Sequence, residues 1–256
     1  MSLTPEQAEI AAAFDAAYGE LTARGPGRMV PDLERITALS ALLGDPQRAY
    51  PSIHITGTNG KGSTSRMVAA LCAAAGIAAG TYTSPHLQTV RERLSVAGQP
   101  ISARRFAAVH DEVAALADLL DERARAEQGE QADRLTYFEV LTAMAGWWFA
   151  DVPVDVGIFE VGMGGRWDAT NLVRGEVAVL TPIDVDHPQL GRTPAEIAGE
   201  KVGESIAEDR EPGAPIEVPG QDRDDGDRSE TPDEGDDHSE TPDEGDEDTD
   251  DRASGE

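Results

Sequence analysis

The chain has 256 residues, 49 acidic against 21 basic, and a formal net charge of −28, which excludes a basic nucleic-acid-binding surface as its principal face. A single cysteine, Cys72, excludes an intrachain disulfide and a cysteine-based zinc site. The opening Thr4-Pro5-Glu6-Gln7 lacks the basic and apolar runs of a signal peptide, and no apolar run reaches the roughly 20 residues that span a bilayer, so the expectation is a cytoplasmic protein with no membrane or nucleic-acid partner.

Thr4 and Pro5 cap and open a helix that runs to Tyr18, and Pro31 to Leu43 form a second helix closed by Gly44. Ser52-Ile53-His54-Ile55-Thr56 is a β-branched run that stops at Gly57, and Ser63 to Ala75 is built of helix formers and stops at Gly76. Strand, glycine-rich turn and helix therefore follow in that order. Ala79 to Thr83 is a second short strand, Ala103 to Glu127 a long helix or helix pair, and Leu135 to Ala150 a helix with apolar residues at helical spacing. Val154 to Val161 and Glu176 to Thr181 are almost continuous apolar runs, the pattern of strands buried on both faces. Strands separated by helices predict a three-layer α/β domain around a parallel sheet, whose ligands sit beyond the carboxyl ends of the strands. The chain then changes character. From Ala207 to Glu256 there are 22 acidic and four basic residues and no Phe, Trp, Tyr or Leu, and Ser-Glu-Thr-Pro-Asp-Glu-Gly-Asp occurs twice, from Ser229 and from Ser239. Such a composition cannot offset its ordering entropy, so residues 207–256 read as a disordered acidic tail behind a domain at 1–206.

Of the 21 basic residues only two, Lys61 and Lys201, are lysines. Arginine serves where simple charge suffices; lysine adds a compact ammonium and an amine that can lose its proton and react with a small electrophile. Lys61 lies in Gly57-Thr58-Asn59-Gly60-Lys61-Gly62-Ser63-Thr64, which is built like a phosphate-binding loop. In such a loop glycines turn backbone amides inward, the helix start adds positive potential, and lysine reaches the outer phosphates. Ser63 or Thr64 is then a candidate magnesium ligand. The loop departs from G-x-x-x-x-G-K-[ST], since Ile55 replaces the first glycine and Gly62 follows the lysine, and alone it serves equally as a tight connection. Its place between strand and helix, with one of the two lysines inside it, favours phosphate.

Glu160 ends the next apolar strand and precedes Gly162-Met163-Gly164-Gly165, so it can hold magnesium facing the loop; in isolation it reads as an exposed strand-end acid. Asp184, Asp186 and His187 follow the last strand, and the carboxylate neighbour makes His187 a candidate metal ligand. Lys201 falls on the next helix, where a surface lysine is the ordinary reading.

Taken in order, Gly57 to Ser63, Tyr82-Thr83-Ser84-Pro85-His86-Leu87, Glu92-Arg93, Tyr137-Phe138-Glu139, Glu160 to Asn171 and Asp186-His187 resemble the dihydrofolate synthase and folylpolyglutamate synthase family, a branch of the ATP-dependent Mur-type ligases. The resemblance spans most of Pro31 to Lys201, and Thr-Ser-Pro-His-Leu combined with Gly-Gly-Arg-x-Asp-Ala-Thr-Asn is far more specific than the loop alone. It implies a Mur-ligase-like P-loop ATPase domain that uses ATP and Mg2+ to join L-glutamate to dihydropteroate or folate through an acyl phosphate. By that resemblance Gly57, Thr58, Asn59, Gly60, Lys61, Gly62, Ser63 and Thr64 cradle ATP, with Lys61 neutralising its phosphates. Ser84 and Glu160, helped by Ser63, hold one magnesium, and His187 with a carbamylated Lys201 holds a second metal. Ser84, Pro85, His86, Glu92 and Arg93 belong to the loop that touches the pterin, with Phe138 and Glu139 nearby. Family members continue with more sheet and a separate C-terminal α/β domain, whereas here the resemblance fades after Lys201. The expectation is therefore an ATPase portion; the alternative is a catalytically incomplete nucleotide-binding module, or a half-enzyme completed by self-association or by a second polypeptide.

Overall fold

The computed structural model describes residues 3–27, 32–184 and 193–202. Helix α1 (Pro5–Ala23) starts where its capping residues put it: Thr4 Oγ1 accepts the Gln7 N–H at 3.2 Å, and Gln7 Oε1 accepts the Thr4 N–H at 2.9 Å. It continues past the expected Tyr18 because Leu21 is wholly buried in the core, and burial outweighs the weak local preference to stop. Helix α2 (Glu34–Leu42) is followed by β1 (Ser52–Thr56), α3 (Lys61–Ala74) and β2 (Ala79–Tyr82). A hairpin, β3 (Leu94–Val96) and β4 (Gln99–Pro100), leads to α4 (Ala103–Gln128), α5 (Tyr137–Asp151), β5 (Val156–Glu160), β6 (Gly175–Leu180) and α6 (Pro194–Val202).

The six strands lie in the order β4-β3-β2-β5-β1-β6. The four strands β2, β5, β1 and β6 are parallel, and the hairpin extends the β2 edge antiparallel. The sequence gives no expectation of that hairpin. Its strands are very short, and its turn, Ala97-Gly98 with φ of 48° and 73°, lacks the Asn or Asp that usually marks a turn with two positive φ values.

Strand alternation sorts the side chains between two cores. Ile55, Ala79 and Ile158 face α3, where they pack with Ile53, Val68, Cys72 and Val179. Tyr82 and Phe159 face the other way, into a larger core closed by residues of α1, α2, α4 and α5. Strand β6 corrects an expectation: its apolar run predicted burial on both faces, yet Val177 is 40% and Leu180 49% exposed. Among the described residues β6 pairs with β1 alone, so an interior-type sequence occupies a sheet edge. No helix among the described residues is long and apolar enough to cross a membrane.

Candidate active site

The four parallel strands deliver their carboxyl ends to one edge, where the motif residues gather. Residue 57 must be glycine: its φ is +138°, and a Cβ there would sit 1.9 Å from Thr181 Oγ1. The loop from Gly57 to Gly60 enters α3 at Lys61, two residues before the expected start, and no side chain caps that helix. Its first amides are thus left without a side-chain acceptor, the usual provision for an anion. Lys61 bends back over its own loop, donating to the carbonyls of Gly57 at 2.9 Å and Thr58 at 3.3 Å. The second lysine arrives from α6: Lys201, 2% exposed, also donates to Gly57 O at 2.9 Å. The only two lysines of the chain therefore converge on one carbonyl, although 140 residues of sequence separate them.

The segment after β6 braces this loop. The amides of Thr58 and Asn59 donate to Pro182 O, while Thr58 Oγ1 donates to Asp184 O at 3.0 Å. His187, and Asp186 beside it, lie outside the described residues.

Glu160 closes β5 and is 4% exposed rather than a solvent-facing strand-end acid. Its carboxylate faces the phosphate-type loop, within 3.5 Å of where a Cβ on Gly62 would stand, and Oε2 accepts the Ser84 N–H at 3.1 Å. Burial pushes its pKa up, opposed by that hydrogen bond and by the charges of Lys61, Arg66 and Arg93. Such a carboxylate gains from a cation. Among the described residues no group of three or more His, Cys, Asp or Glu could hold a metal. Glu160 is the candidate acid for magnesium, an ion that keeps water and phosphate ligands instead of needing an all-protein cage.

Beside this edge opens a cavity of about 980 Å³ walled by Pro85, Tyr137, Phe138, Trp167, Arg35 and Arg93, among others. Gly162 lies so close to Phe138 that a Cβ would meet the ring at 2.6 Å. Arg93 stacks over Tyr137, 5.6 Å from the ring centroid, and its Nε donates to His86 Nδ1 at 2.9 Å. Burial, and then the Arg93 charge, lower the His86 pKa, in keeping with Nδ1 as the acceptor from Arg93. Glu92 turns back on its own loop: its carboxylate accepts the amides of Leu87, Gln88 and Thr89 at 2.9, 3.1 and 2.9 Å, and these bonds hold its pKa down. Glu139 is the N3 residue of α5, accepting the Thr136 N–H at 2.8 Å, and it also pairs with Arg35 at 3.2 Å.

Of the residues singled out from sequence, Ser84, Pro85, Arg93, Phe138 and Glu139 line the cavity, while His86 and Glu92 support its rim. Arg35 and Trp167 were not singled out. Nothing local marks Arg35; Thr136-x-x-Glu139 is a capping-box signature that identifies Glu139 as a helix-start residue.

No protein-family model matches the chain. A dihydrofolate synthase/folylpolyglutamate synthase of Mycobacterium tuberculosis is 54% identical over 177 residues, 69% of this chain and 36% of that protein. The chain is homologous to the dihydrofolate synthase/folylpolyglutamate synthase family. The solved Mycobacterium tuberculosis folylpolyglutamate synthase complexed with ADP superposes with a TM-score of 0.69 at 50% identity, covering 76% of this chain and 42% of that one. A folylpolyglutamate synthase in complex with AMPPCP and folate gives 0.67 at 35% identity, over 74% and 45% of the two chains. The mixed, mostly parallel sheet with its flanking helices is thus the fold of the Mur-ligase-like domain of these synthases, and the chain spans less than half the length of each relative.

Proposed function

We propose that this chain carries the MgATP and pteroate sites of an ADP-forming ligase that joins L-glutamate to dihydropteroate or folate. The observation that carries the reading is a buried carboxylate, Glu160, set against Gly62 of a phosphate-type loop, with an aromatic-lined cavity alongside. The relatives solved with ADP, and with AMPPCP and folate, support the same ligand classes.

In this reading a substrate carboxylate oxygen attacks the γ-phosphorus of ATP, the bond to the bridging oxygen breaks, and ADP leaves. The amine of L-glutamate then adds to the acyl-phosphate carbonyl and loses a proton, and phosphate departs as the amide forms. The first step brings two anions together, so its barrier is electrostatic. Lys61, released from the Gly57 and Thr58 carbonyls, moves its ammonium onto the phosphates, and the amides at the start of α3 hold them in place. Glu160 with Ser63 and Ser84 would hold magnesium, which supplies charge neutralisation on the phosphate oxygens when bound. His187 and Lys201 remain the candidates for a second metal. Tyr137, Phe138 and Trp167 offer flat surfaces for a pterin ring, and Arg35 and Arg93 offer cations at the cavity wall.

The exposed β6 edge favours a second reading, in which both ligands bind but turnover needs further polypeptide. One assay separates the two. With MgATP, dihydropteroate and L-glutamate, the ligase releases ADP and forms dihydrofolate, detected by mass spectrometry, and Lys61→Ala abolishes both. Nucleotide binding without glutamate-dependent ADP release would select the second reading, and a folded chain that binds neither ligand would overturn both.

A further inference from the structure

A buried polar chain runs from the middle of β1 to the wall of the cavity, where Asp168 is one of the lining residues. His54, at the centre of β1 and 1% exposed, meets Thr170 Oγ1 through Nε2 at 2.9 Å. The Thr170 hydroxyl donates to Asp168 Oδ1 at 2.6 Å, so its oxygen must accept from His54, which fixes the imidazole proton on Nε2. Asp168 is itself buried, and its carboxylate also accepts the backbone N–H of Thr170 at 3.0 Å and of Met163 at 2.9 Å. No cation neutralises it through any of these contacts; backbone and hydroxyl donors do so instead, as in anion-binding nests.

The position of this chain gives it a task. His54 lies three residues before Gly57, on the strand that feeds the phosphate-type loop. Met163 lies three residues after Glu160, in the glycine-rich loop that walls the cavity. A backbone segment containing Gly162, Gly164 and Gly165 has little stiffness of its own. Its course after Glu160 is set from outside, by the carboxylate it wraps.

We propose that Asp168, supported by Thr170 and His54, is a positioning residue that fixes the loop after β5 and thereby aims the Glu160 carboxylate at the phosphate-type loop. The inference rests on the reading of Glu160 as the magnesium-facing acid. Asp168→Asn is nearly isosteric but places an amide N–H against the donors of Met163 or Thr170, so the loop end turns away. Thr170→Val cuts the link to His54 and leaves the Asp168 contact with Met163 in place.

The test measures the affinity of the full chain for AMPPCP by calorimetry, with magnesium and with EDTA, and reads the ratio of the two. Glu160→Gln should remove most of the magnesium-dependent gain. Asp168→Asn should reduce that gain at least fivefold, and Thr170→Val about twofold, while affinity in EDTA stays within a factor of two. A purely structural role would weaken both conditions together, and that result overturns the proposal. An undiminished gain in Asp168→Asn, alongside its loss in Glu160→Gln, overturns the proposal and leaves the metal reading standing. If Glu160→Gln also keeps the full gain, the metal reading fails and the proposal with it.

Discussion

On one face of the sheet, residues of α1, α2, α4 and α5 close over Tyr82, Phe149 and Phe159, none of which keeps any exposure. On the other, α3 covers Ile55, Ala79 and Ile158 while leaving Met67 and Leu71 at 59% and 70% exposure. The thick face holds most of the buried apolar surface and therefore most of the stability. The thin face carries the helix whose start is free of a side-chain cap and open to an anion. The phosphate-type loop thus belongs to the thin side of the sheet and the aromatic cavity to the thick side, and the two meet where Glu160 ends β5.

The sharpest way to break this contrast is Phe149→Ala. Phe149 contacts Phe159 edge-to-face at 5.7 Å between centroids and Tyr50 at 6.2 Å. Its truncation should cost about 3–5 kcal/mol in urea unfolding. A loss under about 1 kcal/mol would mean that the thick face repacks freely and is no stiffer than the thin one.

A smaller effect tests the polar chain beneath it. Burial lowers the His54 pKa to about 4. Below pH 6.5 the unfolded imidazole takes a proton that the folded one refuses until about pH 4, so stability is full above pH 6.5 and is lost as pH falls across that window. The loss should reach about 3 kcal/mol, and His54→Gln should flatten it in denaturant titrations run from pH 7 to pH 4. An unchanged slope in the variant would assign the acid sensitivity to other groups.

The smallest expected effect is on the thin face. Leu71→Gln should change unfolding free energy by less than about 0.5 kcal/mol, as for an ordinary surface site. A markedly larger cost would show that something covers α3 in solution.

Much of the fold was readable because its signals are local. The β-branched run from Ser52 to Thr56 predicts β1 at its observed limits, and the helix or helix pair expected from Ala103 to Glu127 is one helix, α4, ending one residue later. The hairpin and the exposure of β6 were not, since one depends on a weak turn and the other on which strands lie beside it. The site divides in the same way. The glycines and lysine of Gly57 to Ser63 mark a phosphate-type loop, whereas the strand-end position of Glu160 reads by itself as solvent-exposed and gives no sign of its burial. Arg35, Trp167 and the link from His54 to Thr170 depend on contacts between distant segments, 116 residues apart in the last case, and periodicity carries no trace of them.

The meeting of Lys61 and Lys201 at Gly57 O has a consequence for how a nucleotide would arrive under the proposed function. The loop gathers both lysines of a chain whose net charge is −28. At low ionic strength, where the Debye length reaches about 30 Å, an approaching polyphosphate feels the net negative charge of the whole molecule and is slowed; close to the loop, the Lys61 ammonium takes over. Moderate salt should then quicken nucleotide association by screening the outer repulsion, even as it loosens the bound complex by screening the inner attraction. Stopped-flow association rates measured across ionic strength would display the two opposing slopes.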